Sequence, residues 1–250
     1  MCSSDLFKNN EEIFVTNVFG PPRVWRLENY VRAVSSFSIF KYFLNSVVVT
    51  LFSVFFIVVI ALMFSYATAR MKVKHEASLR MYIMTGLFIP ANIVLIPLSV
   101  MMNNLGLFNT RTAVIIAYIA FNLPFATVIF YGFFRSIPYE MEEAACIDGA
   151  SVYLCFRKII MPIMIPGIAS VVIFDFLGIW NEFNIALVLL VDDSKRTLPL
   201  GLQYFVGQFK TDWGAMGASM VIASVPTIIV YLIFHEKFEK AMTVGGAVKG

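Results

Sequence analysis

Charged side chains leave four long blanks in this chain. None falls between Lys41 and Arg70, between Arg80 and Arg111, between Arg111 and Arg135, or between Asp212 and His235. A fifth apolar stretch, from Pro162 to Val191, is interrupted only by Asp175 and Glu182. Crossing a bilayer takes about 20 apolar residues, and a backbone in lipid meets its own polar groups as a helix. The pattern therefore predicts five spans, at about 42–68, 82–103, 112–134, 163–190 and 213–234. Residues 1–38 precede the first span, a polar loop at 135–162 separates the third from the fourth, and a short tail at 235–250 follows the last. Prolines at positions 90, 97, 124, 166 and 226 lie within the spans. There they are expected as tolerated kinks.

Composition agrees with the pattern. The chain is 59% hydrophobic and 14% charged, with mean hydropathy +0.80. A soluble domain carries about 25% charge, so the class is an all-α, polytopic membrane protein. The positions of the cations orient it. With the C-terminus cytoplasmic, ten Lys and Arg residues fall on the inside and four in the outside loops, with five in the N-terminal segment, accounting for all nineteen. The inside excess favours that orientation. The basic N-terminal segment then lies outside, which leads to the expectation that a further span precedes Met1.

The loop carries the chemistry. Residues 140–162 read EMEEAACIDGASVYLCFRKIIMP. Pro138 suits the start of a helix, and Glu140, Glu142 and Glu143 suit its first turns, where the dipole favours anions. Gly149 suits its end. The expected rod, Pro138 to Asp148, is about 16 Å long, with a second short helix from near Ser151 into Pro162. Ala144 and Ala145 offer a partner's backbone close approach. On charge alone the segment reads as a solvated surface loop.

The spacing of Glu143-Ala144-Ala145, Gly149 and Ile159-x-Met161-Pro162 matches the EAA pattern of ABC-importer membrane subunits, with Met in place of Leu. The chain resembles the smaller permease subunit of carbohydrate ABC importers, a group that includes the maltose permease. The likeness continues at Glu28-Asn29-Tyr30, Asn45-Ser46, Pro97-Leu98, Gly106-Leu107-Phe108-Asn109-Thr110, Pro124-Phe125 and Phe133 to Pro138. It extends to Trp180-Asn181-Glu182-Phe183, Thr197-Leu198-Pro199 and Gly245 to Gly250. The resemblance implies a type I (MetI-like) importer domain in a bacterial inner membrane, normally with one more span upstream.

By that resemblance the loop is a coupling helix that docks on an ATPase subunit. The implied coupling residues are Glu142, Glu143, Ala144, Ala145, Asp148, Gly149, Pro162 and, in the tail, Lys249. The implied partners are an ATP-binding subunit dimer, a second permease subunit, an extracellular solute-binding protein and a sugar. Nucleic acid is not among them. Residues Asp192 to Asp212 resemble the outer loop that probes the binding protein.

Asp175 and Glu182, seven residues apart, are expected on one face of one helix. Asp175 lies about 20 Å from Pro162 at helical rise. A carboxylate at the bilayer centre costs about 2.5–3.5 kcal/mol on insertion scales unless protein or water receives it. It reads either as a path residue meeting sugar hydroxyls or as a structural group, protonated or bonded to a neighbouring helix. Trp180 reads first as an interfacial anchor, and Asn181 and Glu182 as path or packing residues. No phosphate-binding glycine loop appears, so ATP and its magnesium are expected in the partner, with no cofactor and no catalysis here. The cysteines, Cys2, Cys146 and Cys155, show no metal spacing. One competing reading is an ATP-independent carrier driven by ions through Asp175 and Glu182. The loop at 140–162 separates the two, because a free-standing carrier has no use for a docking helix.

Overall fold

The computed structural model describes residues 6–35, 39–71, 73–205 and 212–247. Helices account for the regular structure among them: α1 Glu28–Ser35, α2 Ile39–Arg70, α3 Glu76–Met84, α4 Ala91–Asn104, α5 Arg111–Ser136, α6 Glu140–Ile147, α7 Val152–Cys155, α8 Met161–Trp180, α9 Asn184–Leu189, α10 Leu198–Gly201 and α11 Trp213–Ala247. Four stretches among the described residues are long and apolar enough to cross a membrane singly: α2, α5, the run Val152–Trp180, and Trp213–Glu236. A fifth crossing requires a bent pair, Glu76–Phe88 with Ala91–Asn104, which turns by 103° at the break.

That bend corrects the straight span expected at 82–103. Pro90 has no N–H to offer a helix, and it forces the residue before it out of the helical region. Ile89 is accordingly extended, at φ −95° and ψ 106°. Pro97, Pro124, Pro166 and Pro226 stay inside helices, as expected of membrane spans. The expected fourth span also divides. α8 stops at Trp180, and a separate short helix starts at Asn184.

The chain forms two compact units, residues 1–50, 95–114 and 180–229 in the first, and 51–94, 115–179 and 230–250 in the second. In the first unit the expected N-terminal segment is folded where described. Lys8 is fully buried and donates from Nζ to the Asn17 carbonyl at 2.9 Å. Buried Asn29 donates to the carbonyls of Leu6 and Lys8 at 2.8 and 3.0 Å. Gly214 is required beside it, since a Cβ there would stand 2.6 Å from Asn29 Nδ2.

The same unit explains several family-like motifs as packing. Asn45, on α2, donates to the carbonyls of Ser194 and Arg196 at 3.0 and 2.9 Å. Ser46 Oγ accepts the Leu198 N–H at 2.8 Å. Asn109, at φ 58°, accepts the N–H groups of Val191 and Asp192 at 3.1 and 3.0 Å. The segment after α9 is thus fixed by side chains that satisfy its backbone, as a non-helical stretch beside membrane helices must be. Residues 206–211 of the expected outer loop lie outside the described residues.

Candidate coupling site

The second unit holds the loop that carries the chemistry. Three glutamates crowd the first turn of α6, where the free N–H groups and the dipole favour them. Its other end is a Schellman turn. The Gly149 N–H bonds the Cys146 carbonyl at 3.0 Å, and the Ala150 N–H reaches back to Ala145 at 2.9 Å. Gly149 stands at φ +82° with nothing near its missing Cβ, so conformation alone demands glycine. The rod and its end match the sequence expectation within two residues.

The second short helix does not stand apart. Ser151 caps α7 by accepting the Leu154 N–H at 3.3 Å. The backbone then passes through a π-helical turn, Phe156–Ile160, directly into α8. Such turns occur mostly as single bulges inside α-helices, often at functional sites. The second half of the loop is therefore continuous with a membrane-crossing helix near Pro162, which is exposed.

Burial divides the predicted coupling residues. Glu143, Ala144, Asp148 and Gly149 are exposed. Ala145 is buried at 7% exposure, so only one alanine of the pair is open to a partner. Glu142 also faces its own chain. Its Oε1 lies 3.1 Å from Arg70 Nε, with the side chains 16% and 2% exposed. Its Oε2 accepts from the Tyr66 hydroxyl at 3.3 Å. Lys249 lies outside the described residues, and α11 continues as far as Ala247, where a tail from 235 was expected.

Sequence reasoning missed two features here. One is the buried cluster around Arg70, which counted only as one more cation at the end of a span. The other is Ile147, which projects at 86% exposure from the last turn of α6. A lone isoleucine between Cys146 and Asp148 gives no periodic signal.

The two predicted intramembrane acids do not share a helix. α8 ends between them, and Glu182 accepts the N–H groups of Ile185 and Ala186 at 2.8 and 3.2 Å, closing the start of α9. Trp180 is not an exposed interfacial anchor. It is 2% exposed, donates from Nε1 to the Ala223 carbonyl at 2.9 Å, and meets Phe43 edge-on with centroids 5.6 Å apart. Asn181 is exposed. Asp175 is 1% exposed, and its Oδ2 finds no hydrogen-bond partner among the described residues.

Comparison with known proteins identifies this architecture. Residues 29–244 match the family model for binding-protein-dependent transport system inner membrane components. The diacetylchitobiose uptake system permease protein NgcG of Streptomyces coelicolor is 36% identical, over 96% of this chain and 80% of that protein. The multiple sugar-binding transport system permease protein MsmG of Streptococcus mutans is 35% identical, over 97% and 88%. The sulfoquinovosyl glycerol transport system permease protein SmoH of Agrobacterium fabrum is 33% identical, over 96% and 84%. A chain of a bacterial ABC transporter that imports alginate superposes with TM-score 0.81 at 23% identity, over 94% of this chain and 88% of that one. That likeness carries the fold, the polytopic transmembrane domain of an ABC importer. This chain belongs to the family of binding-protein-dependent transport system inner membrane components.

Proposed function

We propose that the chain is the permease subunit of an ATP-driven importer of sugars or oligosaccharides, coupled to a cytoplasmic ATPase through α6. The observation that carries this reading is the form of α6: a short rod, closed by a glycine turn, with Glu143, Ala144 and Ile147 outward. An exposed isoleucine beside a carboxylate suits a protein partner that buries the one and pairs the other. The relatives' names supply the substrate class. Sugars or glycosides name three of them, diacetylchitobiose, multiple sugars and sulfoquinovosyl glycerol.

In this reading the chain hydrolyses nothing itself. A partner ATPase dimer binds ATP and magnesium, a second permease completes the path, and an extracellular binding protein delivers the sugar. The inside excess of cations supports a cytoplasmic C-terminus and loop. Asn181, exposed at the break between α8 and α9, serves the path. Asp175 is assigned to packing, because a wall shared with a second permease is open in the isolated chain and Asp175 is closed. The ion-driven carrier loses its supposed relay, since Glu182 is engaged in closing α9 and the helix ends between the two acids.

Pull-down of the affinity-tagged chain from its native membrane tests the reading. Recovery of an ATP-binding subunit is expected, together with uptake of labelled disaccharides that requires ATP. Uptake by the chain alone in vesicles without ATP overturns it.

A further inference from the structure

Arg70 is not on the docking face, yet it touches the elements that hold α6. Its guanidinium donates from Nη2 to the carbonyls of Phe134 and Ile137, at the end of α5. It lies over the Tyr139 ring, 4.1 Å from the centroid. Its Nε stands 3.1 Å from Glu142. Tyr139 donates from its hydroxyl to the Ala69 carbonyl at 2.8 Å. The Tyr66 hydroxyl meets Glu142 as well. The last turn of α2, the end of α5 and the first turn of α6 thus converge on one buried cation.

The chemistry suits the place. Carbonyls at a helix C-terminus carry partial negative charge, and a guanidinium can meet two of them while stacking on an aromatic ring. A lysine ammonium lacks both the fork and the plane. The approach of Nε to Glu142 Oε1 is a charge contact rather than an aligned hydrogen bond, since neither atom has a hydrogen-bond partner among the described residues. Removing the Glu142 charge therefore loosens α6 by one tie, while Arg70 stays on α5 and on Tyr139, which still bonds the Ala69 carbonyl.

We propose that Arg70 and Glu142 are positioning residues for coupling: they fix the start of α6 to α2 and α5, so that displacement of α6 moves those membrane helices with it. This rests on the reading of α6 as the ATPase-docking element. In that division Glu143 and Ile147 meet the partner, and Glu142 transmits.

The test uses the whole complex in lipid, with Arg70→Lys, Glu142→Gln and Glu142→Asp. Three quantities are read: ATPase subunit retained on the tagged chain, amide exchange of residues 140–148, and labelled disaccharide taken up per ATP hydrolysed. Arg70→Lys and Glu142→Gln are expected to retain the subunit within about twofold, to exchange about tenfold faster and to lose about fivefold in uptake per ATP. Glu142→Asp, which keeps the charge, is expected to recover at least half of that ratio. Unchanged exchange and ratio in the first two variants overturn the proposal. So does an equal fall of all three quantities in every variant, which marks a general folding role. A wild-type chain that retains no ATPase subunit overturns the docking reading and with it the coupling role, whereas unaltered exchange in the variants overturns the positioning claim alone.

Discussion

Glu142 and Glu143 are adjacent and face different ways. One is turned onto Arg70 and Tyr66, the other is exposed. Removing one partner of a buried ion pair costs about 3–5 kcal/mol in general, because the other charge stays behind. The 16% exposure of Glu142 and the carbonyls that still hold Arg70 put this case at the lower end. Ile147 is the apolar counterpart on the outside. Burying an isoleucine side chain yields about 1.5–3 kcal/mol, so Ile147→Glu is expected to weaken ATPase binding by about tenfold or more, read as subunit retained on the tagged chain. At Asp175 the direction is reversed. A carboxylate with an unmet oxygen in the interior of its unit is a cost to folding, so Asp175→Asn is expected to raise the midpoint of thermal unfolding and to keep uptake within about twofold. Loss of uptake with an unchanged midpoint would return Asp175 to the path.

Helices follow from the chain wherever a local rule decides them. Gly149 is one such place. Alanine at its positive φ is strained by about 1–2 kcal/mol, so Gly149→Ala is expected to speed amide exchange at residues 146–150 while the chain still inserts in the membrane. Unchanged exchange there would contradict the turn's role. The blanks in charge, the rod at α6 and its glycine end were legible because each is set by a few neighbouring residues. The 103° break at Pro90 was half legible: the proline was visible, but a kink and a full break look alike until neighbours are in place. The stop at Trp180 was not legible, since Asn181 to Phe183 carry no strong breaker and the new helix depends on Glu182 accepting its first N–H groups. The Arg70 cluster was least legible of all. It joins residues 66, 70, 134, 137, 139 and 142, and no single segment contains the pattern.

At the scale of the whole molecule α6 is, in the proposed reading, a lever with two kinds of contact. It is joined to α8 through the Gly149 turn, α7 and a π-helical turn, and is held at its start to α2 and α5 by the buried cation. In that reading, force applied to α6 reaches α2 and α5 through Arg70 and α8 through the chain itself. Residues that resemble the sugar-importer families but lie away from α6, such as Asn45, Ser46 and Asn109, are explained by the backbone groups they satisfy. The most direct measurement is uptake of labelled disaccharides into proteoliposomes of the assembled complex, with and without ATP, for the wild-type chain and Glu143→Arg. The account predicts uptake that depends on ATP in the wild type and falls at least about tenfold in Glu143→Arg, which still reaches the membrane. Uptake that proceeds without ATP on a proton or sodium gradient, or that survives intact in Glu143→Arg, would contradict it.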